Sequence, residues 1–236
     1  MSTVSGTWRG PNIVKTGLVH YIDPSSPNSY NPLIFGSRAI DIMKTGLDGS
    51  YTNAAYNTIG AGSIFLTGNS SYIDYGSNAI FAFGTLDFAI DAWIYKTSTV
   101  GSAGGWSTYR TGAANVGVKF GFGTNLDLRL GNDYGGTLNG VTDPAALSLS
   151  TWYHVVATRL NGTIYLYKNG SSVGTPTASS LNITQSQLIL GPWYPDLISA
   201  FLYAGYIASI RTYKGYGFSQ EDVTQNFNAT RGRFGV

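Results

Sequence analysis

The chain has 236 residues, of which 31 are Gly and 17 are Tyr, and only 11% of its residues are charged. Abundant aromatic residues and scarce charge disfavour an intrinsically disordered chain, and they also disfavour a helical bundle, whose surface needs Glu, Lys and Arg. The net charge of +2 without a basic run argues against nucleic-acid binding, and the absence of cysteine excludes disulfides and thiolate sites.

Neither end of the sequence predicts a membrane or secretory segment. No apolar run approaches the roughly 20 residues that cross a bilayer. The first residues have neither the charged nor the apolar region of a secretory signal. Residues 1–16, which include Trp8 and Arg9, are predicted to form an extended arm. Since a free arm does not need a Trp, we expect these two residues to dock on a partner subunit or on the chain's own domain.

The first half of the chain predicts short strands. Leu18–Ile22 is the first of them. Ser63–Leu66 and Tyr72–Tyr75 flank the turn residues that begin at Gly68, which predicts a hairpin. The strand Phe88–Tyr95 is apolar at both parities, so we expect both of its faces to be covered.

The second half predicts more strands with strong turns between them. Three Leu residues alternate with charged residues across 126–130, as in a half-buried strand. Asn161-Gly162 is typical of a two-residue type I′ turn, and Asn169-Gly170 repeats it. The predicted strands are 116–122, 126–130, 152–160, 163–168, one near 172–174, 188–190 and 201–213.

The last segment predicts a single helix at about 219–230. Ser219 is a suitable N-cap, and Asp222 stands three residues later, as in a capping box. Gly232 is a candidate C-cap. The sequence therefore predicts one antiparallel β-sandwich over 17–236 that is closed by a short C-terminal helix.

Several motifs in order resemble the laminin-G-like, concanavalin A-like jelly rolls. That resemblance implies an antiparallel jelly-roll sandwich of the type found in lectins and glucanases. The matching segments are Phe88–Tyr95, Trp152–Thr158, Asn161–Gly170, Leu188–Gly191 and Gly205–Tyr213.

The two ends resemble a narrower group, the laminin-G-like virion proteins of tailed marine and cyanobacterial bacteriophages. Residues 10–14 and 17–23 resemble their opening, and residues 218–235 resemble their closing segment. The resemblance implies a head decoration or a tail or fibre component on the virion surface, assembled in the host bacterial cytoplasm. Its partners would be capsid or tail subunits, and a homo-oligomer is left open.

Catalysis is not expected from the acidic residues. The glucanases of this superfamily need two carboxylates about 5–10 Å apart. The only Glu is Glu221, in the predicted helix, and Asp87 and Asp91 would lie about 13 Å apart on one strand. His154 is interpreted as structural, bonding across the sheet or packing beside Trp152. A polysaccharide hydrolase is therefore the disfavoured alternative, and we predict no enzyme.

No metal or other cofactor is predicted. Relatives of this type often hold calcium in a rim loop, so three Asp residues are weak candidates for calcium ligands. They are Asp133, Asp143 and Asp196. Each is equally well interpreted as the first residue of an Asx turn.

Aromatic residues outside the strand patterns suggest glycan binding as the main alternative function. Sugars stack on aromatic faces, so a cluster of such rings would bind host or environmental polysaccharide, as in a lectin at a fibre tip. Equally, the rings would cover loops or contact a neighbouring virion protein. The candidates are Trp106, Tyr109, Tyr134, Trp193, Tyr194 and Tyr216.

Overall fold

The computed structural model of the chain is an antiparallel β-sandwich with one short C-terminal helix, which confirms the predicted fold class. The structure describes residues 12–30, 38–68, 70–98, 104–108, 116–131, 139–192 and 202–236. Within these residues, no helix has the length and apolar composition needed to cross a bilayer.

The strands are β1 (Leu18–Ile22), β2 (Arg38–Ala39), β3 (Gly49–Thr52), β4 (Ala54–Asn57), β5 (Ser63–Thr67), β6 (Tyr72–Ser77), β7 (Phe88–Lys96), β8 (Gly105–Ser107), β9 (Gly117–Phe122), β10 (Asn125–Gly131), β11 (Asn139–Ala146), β12 (Trp152–Leu160), β13 (Thr163–Lys168), β14 (Ser171–Ala178), β15 (Gln187–Leu190) and β16 (Ala204–Lys214). The helix α1 spans Gln220–Thr230.

The strands form two sheets that enclose one apolar core. Sheet A has the order β14-β13-β12-β7-β16-β5-β4, and β1 pairs with β16 beyond the end of β5. Sheet B has the order β11-β10-β9-β8-β15-β6-β3-β2. Leu126, Leu128 and Leu130 point into the core as predicted, while Asp127 and Arg129 pair on the outer face of sheet B.

The central strand β7 is covered on both faces, as its sequence predicted. Ile90 and Ile94 point into the core between the sheets. Trp93 points outward and is stacked under Phe234 with ring centroids 4.1 Å apart. Its indole N–H donates to the Thr230 hydroxyl of α1 at 2.8 Å. The helix and the C-terminal residues therefore form a third layer on the outer face of sheet A.

The predicted meander β12-β13-β14 is confirmed, with β12 and β13 joined by a tight two-residue turn. Asn161 and Gly162 both have positive φ, 50° and 72°, as a type I′ turn requires. The side chain of Asp87 accepts a hydrogen bond from the Asn161 N–H at 3.0 Å and anchors this turn to the neighbouring segment.

The predicted hairpin between Ser63–Leu66 and Tyr72–Tyr75 is wrong. β5 pairs with β4 and β16 in sheet A, whereas β6 pairs with β3 and β15 in sheet B. The turn residues between them therefore carry the chain from one sheet to the other. Both strands bury alternate apolar residues in the same core from opposite sides, so their sequences look like those of a hairpin.

The bounds of α1 are as predicted, but its C-cap residue is not. Ser219 and Asp222 form the reciprocal capping box. Gly232 is not the C-cap: Arg231 occupies that position, and a 3₁₀ turn over Arg231–Arg233 continues the chain. Arg233 then pairs with Asp23 at 2.8 Å and donates to the Gly62 carbonyl at 2.6 Å, so the C-terminus is held by specific contacts.

We predict that Ser219→Ala lowers the free energy of unfolding by about 1 kcal/mol, because the Asp222 N–H loses its capping acceptor. Urea denaturation measures this loss. Thr224→Ala, an exposed position in the same helix, is the control and should change stability by less than about 0.5 kcal/mol. Equal effects of the two substitutions would contradict a specific role of the cap.

Candidate functional site

The prediction that Trp106 is a loop residue available to a sugar is wrong. Trp106 lies in β8, is fully buried, and packs against Phe83 and Phe81 at 5.9 and 6.2 Å between ring centroids. The strand β8 consists of only Gly105, Trp106 and Ser107, which is too short to show an alternating pattern. The indole ring of Trp106 belongs to the core, so Trp106 is not a binding residue.

Tyr216 is the one predicted glycan-binding residue that the structure describes near the surface. Its hydroxyl lies 3.2 Å from each carboxylate oxygen of Asp222. With Lys15, Gln225 and Asn12, these residues line an open depression of about 320 Å³ between the N-terminal segment and α1. The Tyr216 hydroxyl is thus bonded to Asp222, a member of the capping box of α1, which gives Tyr216 a structural role.

The remaining candidates lie outside the described residues: Trp8, Arg9, Tyr109, Asp133, Tyr134, Trp193, Tyr194 and Asp196.

Asp143, the described calcium candidate, is already paired with a cation of the protein. It lies in β11, is 2% exposed, and accepts from the Lys168 ammonium. Its other carboxylate oxygen accepts from the Ala145 N–H at 2.9 Å. In the part of the chain that the structure describes, no three His, Cys, Asp or Glu side chains are grouped to hold a metal ion.

A buried polar network lies between sheet A and α1. Asp91 on β7 bonds to Arg211 at 2.6 Å, to His154 at 2.9 Å and to Asn226 of α1 at 3.0 Å. All four residues are fully buried. The His154 contact crosses from β12 to β7, as the structural interpretation of this residue predicted.

The environment of Asp91 keeps its carboxylate ionised. Burial by itself raises the pKa of Asp91, but nearby His154 and Arg211 and the hydrogen bond from Asn226 outweigh burial. The pKa therefore lies well below its usual range. Because no member of the network reaches the surface, we assign it to holding α1 on the sheet rather than to chemistry.

His20 is a second buried titratable group, placed edge-on against Tyr75 and Phe81 at 4.8 and 5.5 Å. Burial lowers the pKa of His20 from 6.5 to about 4, although nearby Asp41 and Asp48 oppose this shift. The unfolded chain therefore binds more protons than the folded protein between pH 6.5 and 4.

We predict that acidification from pH 6.5 to 4 removes about 3 kcal/mol of stability through His20 alone. Urea denaturation at several pH values, compared with His20→Leu, isolates this contribution because other groups titrate in both proteins. The variant should show a flatter profile in this window. Parallel profiles would contradict the assignment.

The outer face of sheet A carries a row of aromatic side chains that the sequence analysis did not identify. Phe65, Tyr206, Tyr95 and Trp152 lie in direct register on four adjacent strands, β5, β16, β7 and β12. We call these four residues the aromatic row. Phe65, Tyr206 and Tyr95 are partly exposed, and Trp152 is 9% exposed. The apolar residues of β7 stand at both parities, so its sequence did not mark Tyr95 as outward, and the register that aligns the four strands is not visible in the sequence.

The rings of the aromatic row contact one another in sequence. The centroid distances are 4.8 Å from Phe65 to Tyr206, 5.7 Å from Tyr206 to Tyr95 and 5.3 Å from Tyr95 to Trp152. At the inner end, Trp152 packs against Phe234 at 4.7 Å. The row is thus continuous with the buried aromatic cluster under α1 and becomes exposed toward the edge of the sheet.

Comparison with known proteins identifies the family. A model of the concanavalin A-like lectin/glucanases superfamily matches residues 67–224, which is more than half of the chain. A search of the curated proteins by sequence found no match. The chain belongs to the concanavalin A-like lectin/glucanases superfamily.

Solved structures share the fold at low sequence identity. Domain 4 of the arabinanase AbnA from Geobacillus stearothermophilus, solved with arabinotriose, has a TM-score of 0.69 and 14% identity, over 91% of this chain and 100% of that domain. The binding domain of Paraclostridial Mosquitocidal Protein 1 has a TM-score of 0.67 and 16% identity, over 90% of this chain and 52% of that one. Trypanosoma rangeli sialidase with sialic acid has a TM-score of 0.64 and 14% identity, over 94% of this chain and 34% of that one. The chain thus spans about half of the mosquitocidal protein's binding domain and about one third of the sialidase. These likenesses establish the fold alone.

Proposed function

We propose that this member of the superfamily is a non-enzymatic structural protein on the surface of a tailed bacteriophage particle, either a head decoration or a tail or fibre component. The observation that carries the proposal is that the two phage-like end segments pack together. The Val14 N–H donates to Asn226 at 2.7 Å, and Val14 packs in one cluster with Phe218 and Val223. Segments about 200 residues apart therefore form one unit on sheet A.

The positions of three described carboxylates are consistent with a non-enzymatic role. Glu221 is exposed in the first turn of α1. Asp91 is sealed in its network, and Asp41 is fully buried with hydrogen bonds from the N–H groups of Tyr21 and Thr45. Neither Asp is accessible to a substrate. A glycosidase needs two accessible carboxylates at a fixed separation.

Mass spectrometry of purified phage particles tests the proposal. The chain should co-purify with the capsid or tail proteins at a fixed ratio, through further purification and salt washes. A protein found only in the soluble fraction of the lysate would contradict the proposal.

The anchoring role proposed for the N-terminal arm has its own test. Trp8→Ala should lower incorporation into particles, while Leu149→Ala, an exposed apolar position on the sandwich, should leave it unchanged. Normal incorporation of both variants would remove the arm from the proposal.

Light scattering of the isolated protein distinguishes a monomer from a homo-oligomer.

A second function, binding of host or environmental polysaccharide, is favoured by the aromatic row. Aromatic rings bury large apolar areas with little loss of conformational freedom, and tyrosine hydroxyls add polar contacts at the rim. A domain that shares the fold was solved with arabinotriose, which also supports the proposal of carbohydrate binding. A glycan array should give saturable binding that EDTA does not abolish, since no calcium is proposed. An absence of binding to every glycan would contradict this second function.

A further inference from the structure

We infer that the aromatic row is a binding site for an uncharged, extended polysaccharide, which lies across the strands of sheet A and contacts several consecutive sugars. This inference rests on the proposed carbohydrate binding and specifies its site and its ligand class. The site consists of residues other than those that the sequence suggested, and it is separate from the depression beside Tyr216.

The length and straightness of the row favour a chain rather than a terminal sugar. Its four residues are in direct register, so the row runs perpendicular to the strands. Three strand spacings separate Phe65 from Trp152, about 14 Å in total. One sugar ring covers only part of that distance. Ligands of this kind gain affinity from repeated small contacts along the row rather than from one enclosing pocket.

Among the described residues, the sheet surface is open where such a chain would continue past Phe65. β4 is the edge strand of sheet A, and its Ala55 is paired with Phe65. Ala55 is exposed, and its side chain is a single methyl group. A polysaccharide on Phe65 can therefore run past the sheet edge without meeting a large side chain at Ala55.

Charge around the row favours a neutral ligand. The adjacent outward strand positions carry small or uncharged side chains, apart from His154, which is buried beneath α1 and bonded to Asp91. Lys96, next to Tyr95, points into the sandwich, where its ammonium donates to the Gly123 carbonyl at 2.6 Å. Arg233 donates to the Ala208 and Gly60 carbonyls beside the row, but its charge is paired with Asp23 at 2.8 Å. An acidic polysaccharide would therefore lose hydration here without gaining an unpaired cationic partner from these described residues. These flanking positions are Ser63, Thr67, Trp93, His154, Ala204 and Ala208.

The rings are held in place before any ligand arrives. Phe234 packs on Trp152, and Gly60 approaches so closely that a Cβ there would lie 2.7 Å from the indole. Tyr95 is held between Trp152 and Tyr206. A ligand therefore pays little for ordering these side chains, which favours binding at a shallow surface.

Affinity gel electrophoresis of the whole protein tests the inference. The probes are four neutral polysaccharides (arabinan, xylan, galactomannan and hydroxyethylcellulose) and two acidic ones (alginate and polygalacturonate). We expect retardation by at least one neutral probe and by neither acidic one. Tyr206→Ala and Tyr95→Ala should each weaken binding at least tenfold, and Tyr206→Phe by less than about threefold.

A matched control and a length series complete the test. Tyr165 lies about 20 Å along the sheet from Trp152, opposite Thr158, so Tyr165→Ala should leave binding unchanged. Hexasaccharides of the bound polymer should bind at least tenfold more tightly than disaccharides. Thermal unfolding of each variant shows that it is folded.

The contradicting outcomes are separable. Neutral binding that survives both Tyr→Ala substitutions would place the site elsewhere while leaving carbohydrate binding intact. Binding of the acidic probes alone, or equal affinity for disaccharide and hexasaccharide, would overturn the ligand class. Binding of no probe would contradict the carbohydrate-binding proposal itself.

Discussion

Asp91→Ala is expected to lower the free energy of unfolding by about 3–5 kcal/mol. The substitution leaves the Arg211 guanidinium buried without its counter-charge, and it removes a partner from His154 and from Asn226. Because Asn226 also holds the Val14 N–H, the N-terminal segment and α1 should loosen together. Urea denaturation measures the loss, and hydrogen exchange should show faster exchange in both segments.

Two further variants separate the buried network from a general loss of charge. Arg38→Ala breaks an ion pair with Asp48 in which the Arg38 side chain is 53% exposed, so it should cost less than about 1 kcal/mol. Replacing Asp91 with Leu and Arg211 with Met together should give a more stable protein than Asp91→Leu alone, since no unpaired charge stays buried. A loss below about 1 kcal/mol for Asp91→Ala would contradict the role of the network.

Trp106→Ala should also cost about 3–5 kcal/mol, because it removes a fully buried indole from the centre of the core. Phe81 and Phe83 would line the resulting cavity. Urea denaturation measures the loss. Carbohydrate binding per folded molecule should be unchanged under conditions where the variant is folded.

Leu149→Ala is the control for this substitution, since Leu149 is 41% exposed and its removal leaves no cavity. It should change stability by less than about 1 kcal/mol. A stable Trp106→Ala variant that had lost glycan binding would reverse the assignment of Trp106 to the core.

Features that depend on neighbouring residues in the sequence were predictable. The turn at Asn161-Gly162 needs only two residues with positive φ, and the cap at Ser219 needs only a partner three residues away. The coverage of both faces of β7 followed from its apolar residues at both parities. The turn and the cap are fixed by local backbone geometry, and the coverage of β7 is recorded in the apolar residues of a single strand.

Features that depend on which strands become neighbours were not predictable. The chain after β5 can return in the same sheet or cross to the other, and the turn residues from Gly68 suit both routes. Trp106 lies in a strand too short to show its parity. The aromatic row and the Asp91 network join residues from strands and a helix far apart in the sequence, and only the register brings them together.

Cryo-electron microscopy of purified phage particles tests the central claim most directly, since the claim concerns both where the sandwich lies and which face it presents. The account predicts density for the two-sheet sandwich on the outside of the head or tail, with the aromatic row facing solvent. A sandwich attached through the aromatic row, or particles without the sandwich, would contradict it.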